Sequence, residues 1–437
     1  MILAKAIVIF TKKIKMSIEE LIKPGLLSVQ SKSDEIDAVL SEMEDIPDEV
    51  ANAIKTAVQK EAYADWVKWG NCWGLIAAAT GAGKSKIAID AAQDVVSAKK
   101  TAKILVCVPT EKLRDENWED EFRKWGLIRL YNKNVERTCH VSMSKIVGQE
   151  FDLVIFDEAH NITESNSSFF RQNKIEKCIA LSATPPSDST KKFLLGEANL
   201  KTVYTLSLDT AVKLRMVAPY EITVVETRLE STKKTVPGGS KDKPFLNTEK
   251  NHYEYLTKTI NSLMFNSNRT AQQNAALKFK TINRMHFIYN LESKLEVAKQ
   301  VIARLPQDER TLIFCANIEQ AEKLSPHVFH SKSSDEDLNR FKKGQIHELA
   351  CVKSLNEGHN IPIKVDNAVI VQLNSNDRNL IQRIGRILRY KKGHVAKVII
   401  ILCIDTVDEN WYIKATAGLD SSKITRIRFR KEEELVI

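Results

Sequence analysis

The stretch LIAAATGAGKSKIAID, Leu75 to Asp90, decides the fold of this chain. An apolar run precedes a turn with two glycines, and a segment of helical character follows it. This order is typical of a phosphate-binding loop, because backbone N–H groups and the start of a helix then face the phosphates. Gly81 and Gly83 permit the tight backbone path. We expect Lys84 to reach the β- and γ-phosphates and Ser85 to ligate Mg²⁺.

The same stretch departs from the usual pattern, G-x-x-x-x-G-K-[ST], at its first position, where Ala78 replaces a glycine. Alanine can serve there if its φ is negative. The alternatives are a damaged nucleotide site and a chance Gly-Lys-Ser turn. If the loop is intact, the residues within it that are expected to contact ATP are Thr80, Gly81, Ala82, Gly83, Lys84 and Ser85.

The composition fits a protein of two globular domains. The chain has 437 residues, 43% of them hydrophobic and 28% charged, which allows sizeable cores. The net charge of +9 favours a polyanionic partner such as nucleic acid, with an unspecialised basic surface as the alternative. The seven cysteines include no C-x-x-C pair, so a zinc site is not expected, and reduced thiols fit a cytoplasmic protein. No segment reads as a membrane span.

Two series of short apolar runs alternate with helical stretches and predict two α/β domains, each a mainly parallel sheet flanked by helices. The first domain, at residues 46–217, contains the runs GLIAAA, KILVCVP, DLVIFD and CIALSAT. The second, at residues 218–437, contains YEITVVETRL, TLIFCAN, LACVKS, AVIVQL and VAKVIIILCI. A polar segment at about 230–250 is predicted to be a mobile loop, followed by a helical region at 253–305. Residues 1–45 have an uncertain role, and Met16 is an alternative start.

The segment FDLVIFDEAH places two carboxylates after an apolar run. We expect a buried strand that ends at Asp157 and Glu158. An aspartate at the carboxyl end of such a strand can hold Mg²⁺, directly or through water. The adjacent glutamate is placed to orient and deprotonate an attacking water. The alternative is an acidic surface turn after a core strand.

The segment LIQRIGRILRY predicts a helix at 380–390 with Gln382, Arg386 and Arg389 on one face, because their spacing is i, i+4, i+7. Cations on such a face can neutralise the charge that develops on a γ-phosphate, as arginine fingers do in phosphoryl transfer. Taken alone, the segment is equally well explained as a solvated basic face.

These motifs, in this order, resemble those of the superfamily 2 helicases and translocases over most of the chain. In that group the first position of the phosphate loop is often alanine, so Ala78 indicates an intact site of a helicase type. The resemblance implies two tandem RecA-like domains that clamp ATP and Mg²⁺ between them. It assigns catalytic roles to Lys84, Asp157, Glu158, Gln382, Arg386 and Arg389, with Ser85 and Asp157 as the Mg²⁺ ligands.

Further residues receive roles from the same resemblance. Gln59 is expected to contact adenine, although it also fits a solvated helix position. In SLNEGHNIP, Gly358 and Asn360 are expected to contact the nucleotide, and Asn360 stands where the family often has aspartate. Contact with nucleic acid, or its coupling to ATP, is expected from Pro109, Thr110, Ser182, Thr184 and Ser354. Thr110 also suits a simple helix N-cap.

The segments SATPP and GRILR resemble the branch of this superfamily that contains phage-recombination, repair and restriction motors, which act mostly on DNA. The resemblance implies an ATP-dependent helicase or translocase acting on single-stranded or branched DNA in the cytoplasm of a bacterium or an infected host. It is expected to be a monomer that works beside replication or recombination proteins. Two alternatives stay open: an RNA helicase of the same fold, and an ATP-switched nucleic-acid-binding subunit without motor activity.

Overall fold

The computed structural model describes residues 16–23, 28–42, 46–111, 113–186, 188–240, 243–266, 268–352, 365–373, 380, 384 and 394–429. These residues form two compact units, and the chain passes from the first to the second between Pro219 and Tyr220. Within the described part of the chain, no helix combines the length and the apolar character that crossing a bilayer requires.

A parallel sheet forms the core of the first unit. Its strands and two short neighbours are β1 (Trp73–Ala78), β2 (Ile104–Val108), β3 (Val135–Cys139), β4 (Glu150–Phe151), β5 (Leu153–Phe156), β6 (Lys174–Ile175), β7 (Cys178–Ser182) and β8 (Thr202–Leu206). Strands β4 and β6 pair with each other, and the other six form one sheet in the order β3-β2-β5-β7-β1-β8. All four apolar runs predicted for this domain are strands of that sheet, and the three strands β2, β5 and β7 are buried along their whole length.

The helices of the first unit flank this sheet. They are α1 (Ser33–Ser41), α2 (Asp48–Lys68), α3 (Lys84–Ala98), α4 (Trp118–Lys124), α5 (Ile128–Asn134), α6 (Glu164–Ser167), α7 (Phe169–Gln172), α8 (Ser189–Glu197) and α9 (Leu208–Lys213). A π-helical turn at Leu113–Asn117 leads directly into α4, and short 3₁₀ turns lie at His140–Lys145 and Ala159–Asn161. The N-terminal region joins this unit, because Lys213 of α9 pairs with Asp34 of α1 at 2.6 Å.

A second parallel sheet forms the core of the second unit. The strands are β9 (Tyr220–Thr227), β10 (Val236–Ser240), β11 (Lys243–Asn247), β12 (Thr311–Cys315), β13 (Val328–Phe329), β14 (Glu348–Val352), β15 (Asn367–Ile370), β16 (Ala396–Cys403) and β17 (Ile424–Arg428). Seven of them form one sheet in the order β13-β14-β12-β15-β16-β9-β17. Both units are therefore α/β structures built on parallel sheets, as the alternating apolar runs predict.

The segment predicted as a mobile loop at about 230–250 contains a β-hairpin. Strands β10 and β11 pair in antiparallel fashion, with Gly238 opposite Phe245. Among the described residues, β10 and β11 pair only with each other, so neither strand needs the apolar face by which a strand is recognised in a sequence.

The helices of the second unit are α10 (Glu249–Met264), α11 (Ala271–Tyr289), α12 (Glu292–Arg304), α13 (Ile318–Leu324), α14 (Glu336–Lys342) and α15 (Val407–Thr416). Helices α10 and α11 pack on each other as a helical hairpin, and both begin at a threonine N-cap. Arg269 closes their connection by donating to the carbonyls of Leu263, Met264 and Asn266. The helical region predicted at 253–305 is confirmed.

Candidate nucleotide-binding site

The predicted phosphate loop lies between β1 and α3. Gly81 and Gly83 have φ angles of 94° and 86°, a region that glycine enters without the steric penalty of a Cβ. Lys84 is the first residue of α3, and its Nζ donates a hydrogen bond to the carbonyl of Ala78 at 2.8 Å. Ala78 is a strand residue with negative φ, so alanine causes no strain there. The backbone therefore has the form of an anion-binding loop at a helix N-terminus.

Gln59 of α2 contacts this loop. Its side-chain amide donates to the carbonyl of Ala82 at 3.2 Å, and the carbonyl of Gly83 lies 3.5 Å away. A Cβ atom added to Gly83 would come within 2.2 Å of Gln59 Nε2, so the approach is close. Gln59 is thus fixed against the loop that the sequence predicts to bind the nucleotide.

The two carboxylates of FDLVIFDEAH follow the buried strand β5, as predicted. Asp157 Oδ1 accepts a hydrogen bond from the backbone N–H of Glu158 at 2.9 Å, and Asp157 Oδ2 accepts one from Trp118 Nε1 at 3.1 Å. Burial, together with the neighbouring Glu158 carboxylate, raises the pKa of Asp157 to about 7, and Lys84 acts in the opposite direction. The ammonium group of Lys84 and the carboxylate of Asp157 are therefore close enough for an electrostatic interaction.

A short polar chain joins Glu158 to the SAT segment. His160 Nδ1 lies 3.4 Å from Glu158 Oε2 and 3.4 Å from the hydroxyl of Ser182. Ser182, fully buried at the end of β7, donates from its hydroxyl to the carbonyl of Thr184 at 2.7 Å. Glu158, the carboxylate predicted to activate water, is therefore linked through His160 to Ser182 of the SAT segment.

Pro109 and Thr110 directly follow β2. The hydroxyl of Thr110 accepts from the backbone N–H of Leu113 at 3.4 Å, and its carbonyl accepts from Arg114 N at 3.1 Å. Because β2, β5, β7 and β1 are neighbouring parallel strands, their carboxyl ends meet at one edge of the sheet. That edge brings Thr110, Asp157, Ser182 and the phosphate loop together.

Six predicted site residues lie outside the described part of the chain: Ser354, Gly358, Asn360, Gln382, Arg386 and Arg389. Two residues between them are described. Leu380 and Ile384 are helical and buried, four positions apart, as expected for the apolar side of the predicted helix.

Two residues at the site were not assigned a role from the sequence. Trp118 holds the Asp157 carboxylate, and His160 connects Glu158 with Ser182. His160 could have been found, because it belongs to the quoted DEAH letters. Trp118 gives no comparable signal, because it lies 39 residues from Asp157 in the chain.

Two family models match separate parts of this chain. The model of the type III restriction enzyme res subunit matches residues 54–142, which contain Gln59, the phosphate loop and Trp118. The model of the helicase conserved C-terminal domain matches residues 293–391, which contain Arg386 and Arg389. Both matches follow the order in which the motifs occur.

Similar proteins agree with these matches. The DNA 3'-5' translocase XPB2 of Sulfurisphaera tokodaii is 25% identical over 372 residues, which cover 80% of this chain and 82% of that protein. The ATP-dependent type ISP restriction-modification enzyme LlaBIII, bound to DNA, has a TM-score of 0.52 at 15% identity, covering 86% of this chain and 31% of that one. Dbp5 of S. cerevisiae, bound to RNA and ADP BeF3, has a TM-score of 0.51 at 14% identity, covering 85% and 89%.

The two solved structures show the same fold with two RecA-like domains, and they bear different nucleic acids, so they do not distinguish DNA from RNA. The family models and the translocase relative show, in addition to this shared fold, a similarity in sequence. Together, the two family models and the translocase relative support a superfamily 2 helicase or translocase that hydrolyses ATP.

Proposed function

We propose that this protein is a motor that uses ATP hydrolysis to move along DNA or to unwind it. The observation that carries the proposal is the edge of the first sheet, where the phosphate loop, Asp157 and Glu158, and the His160–Ser182 contact lie together. Such an edge can join a nucleotide site to a nucleic-acid site within one compact unit.

The described residues fit a nucleotide held together with Mg²⁺. Asp157 and Glu158 place two carboxylates side by side, and burial together with Glu158 raises the pKa of Asp157, so a bound divalent cation would favour its ionised form. Across the described residues, no group of three or more His, Cys, Asp and Glu could hold a metal alone. Mg²⁺ commonly binds through one or two protein ligands plus phosphates, so Ser85 and Asp157 suffice as its protein ligands.

Each residue has a distinct proposed task in hydrolysis. Lys84 neutralises charge on the β- and γ-phosphates, while the N–H groups from Gly81 to Ser85 face the phosphates. Glu158 orients the attacking water and accepts its proton. Mg²⁺, when bound, neutralises charge that develops on the phosphate oxygens. Beyond the described residues, we propose that Gln382, Arg386 and Arg389 add positive charge at the γ-phosphate, and that Gly358 and Asn360 contact the nucleotide.

Coupling to nucleic acid is proposed through two routes. Pro109, Thr110 and Ser354 would contact the backbone of a strand. Glu158, His160 and Ser182 would carry the state of the nucleotide to Thr184. The helical hairpin α10–α11 also carries the basic side chains of Lys258, Lys278, Lys280 and Arg284 and the exposed rings of Phe265 and Phe279. Cations that track phosphates and rings that stack on bases are the usual features of single-strand binding.

DNA is the favoured substrate because a relative whose match covers 80% of this chain is named a DNA translocase. The sequences SATPP and GRILR also favour DNA, because they resemble segments of DNA motors. We further propose that the protein acts as a monomer in phage or bacterial genome maintenance. Dbp5 keeps RNA as the second candidate, since that neighbour is bound to RNA.

Steady-state ATP hydrolysis tests the proposal. Turnover is measured without nucleic acid, and then with single-stranded DNA, branched DNA and RNA at low and moderate salt. We expect strong stimulation by DNA that weakens with salt, as for any binding dominated by phosphate contacts. Glu158→Gln should bind ATP yet lose about 100-fold or more in turnover, the usual contribution of a general base. Equal or greater stimulation by RNA would assign the protein to RNA, and normal turnover of Glu158→Gln would contradict the role of Glu158.

A further inference from the structure

The carboxylate of Asp157 is held at both oxygens. The backbone N–H of Glu158 donates to Oδ1 at 2.9 Å, and the indole Nε1 of Trp118 donates to Oδ2 at 3.1 Å. Trp118 is 2% exposed and packs against Phe122, with ring centroids 6.2 Å apart. Because the ring is buried, it cannot swing away without opening the core. The indole therefore fixes the plane in which Asp157 presents its remaining lone pairs.

The same tryptophan is the first residue of α4, directly after the π-helical turn at Leu113–Asn117. That turn is anchored at its other end on Thr110, whose hydroxyl and carbonyl accept from Leu113 N and Arg114 N. Turns of the π type are rare and frequently occur at functional sites. A movement of Thr110 would therefore be passed by these hydrogen bonds to the turn at Leu113–Asn117, from there to Trp118, and so to Asp157.

We propose that Trp118 is a positioning residue: it orients the Asp157 carboxylate for Mg²⁺ and transmits nucleic-acid contact at Pro109 and Thr110 to the ATP site. The inference rests on the proposed function, since it assigns Asp157 to Mg²⁺ and Thr110 to nucleic acid. Outer partners that hold a metal ligand typically contribute about 10- to 100-fold to metal affinity.

The variant Trp118→Phe keeps an aromatic ring in the core and removes only the N–H donor and part of the ring. We expect its midpoint for Mg²⁺ in ATP hydrolysis to rise about tenfold, with most basal turnover recovered at saturating Mg²⁺. Calorimetric binding of ADP should be unchanged without Mg²⁺ and weakened with it. Stimulation by DNA should fall while the affinity for DNA stays as in the wild type.

Trp66→Phe is the matched control. Trp66 is 1% exposed in the same unit, and its indole Nε1 donates to the carbonyl of Cys178 at 2.9 Å, away from the nucleotide site. Trp66→Phe removes the same atoms as Trp118→Phe and also one buried hydrogen bond, so the two variants should lose a comparable free energy of folding. We expect no change in the Mg²⁺ midpoint or in the stimulation by DNA. Equal shifts in both variants would reduce Trp118 to a core residue and overturn the inference.

Indole N–H spectra of the wild-type protein give a readout that needs no stable Trp118 variant. The chain has six tryptophans, and the resonance that Asp157→Asn displaces is assigned to Trp118. That resonance should move when Mg²⁺ and ADP are added together, and also when DNA is added alone. A resonance indifferent to both would contradict the inference. A wild type that neither hydrolyses ATP nor responds to DNA would instead contradict the proposed function.

Discussion

The ammonium group of Lys84 donates a hydrogen bond to the backbone carbonyl of Ala78, 2.8 Å away, and so joins the start of α3 to the end of β1. The acceptor is a backbone atom, which alanine and glycine supply equally. The loss of the first glycine of the usual pattern therefore leaves the lysine contact intact. The second glycine of the pattern, Gly83, and the additional Gly81 both have positive φ.

Replacing Lys84 tests the phosphate loop directly. Lys84→Ala should reduce ATP turnover by about 100-fold or more, because one cation aimed at developing charge contributes on this scale. Lys86→Ala is the control from the same helix, since Lys86 pairs with Asp90 and lies over the ring of Trp125. Turnover by Lys84→Ala close to that of Lys86→Ala would mean that the loop does not bind the reacting phosphates.

Gly83 should tolerate no side chain. Gly83→Ala places a Cβ at φ 86°, which costs about 1–2 kcal/mol of folding free energy, and it displaces Gln59 from the loop. Thermal unfolding without nucleotide measures this cost. Gly196→Ala is the control, because Gly196 lies in α8 with no atom within 4 Å of its added Cβ, and alanine there should stabilise the helix by about 0.5–1 kcal/mol. Opposite signs for the two variants are expected, and equal effects would contradict the loop geometry.

The two sheets could be predicted because nine of their strands are apolar runs with few polar interruptions. Strands β3 and β8 were not predicted, and each lies at an edge of the first sheet. Their sequences, VERTC and TVYTL, mix exposed and buried positions, so they give no continuous apolar run. The β10–β11 hairpin escaped for a related reason, since it contributes no face to a core.

Much of the nucleotide site could be predicted because its residues are contiguous in the chain, as in the phosphate loop and in DEAH. The contact between Trp118 and Asp157 could not, because it depends on β2 and β5 being neighbours in the sheet. The hydrogen bonds from Gln59 to the loop depend in the same way on how α2 packs. Such relationships follow from strand order and packing, which motif spacing does not contain.

A buried ion pair joins helices α12 and α15 of the second unit, and removing one partner should lower the free energy of unfolding. Lys294 Nζ and Asp408 Oδ2 are 2.7 Å apart, and both side chains are 0% exposed. Lys294→Ala leaves a buried carboxylate without its cation, and we expect a loss of about 3–5 kcal/mol in denaturant unfolding. The double variant Lys294→Met with Asp408→Leu should recover most of that loss. Lys323→Ala, which removes an exposed pair with Glu319, should change stability little.

The helical hairpin α10–α11 should contribute to single-strand affinity through its rings. Phe265 and Phe279 are 89% and 60% exposed, and stacking of one base on an aromatic ring contributes about 1–3 kcal/mol. Replacing both by alanine should weaken binding of single-stranded DNA at least about fivefold, with basal ATP turnover unchanged. Phe193→Ala is the control, because Phe193 is 66% exposed on α8 of the other unit. If all three rings matter equally or none matters, the hairpin is not a binding surface.

Displacement of streptavidin from biotinylated single-stranded DNA tests the motor most directly. Biotin is placed at either end of the strand, and the rate of release is compared with and without ATP for the wild type and for Glu158→Gln. The account predicts ATP-dependent release from one end by the wild type and none by Glu158→Gln. If DNA stimulates hydrolysis strongly and neither end is cleared, the protein is an ATP-driven switch on DNA and the motor account is wrong.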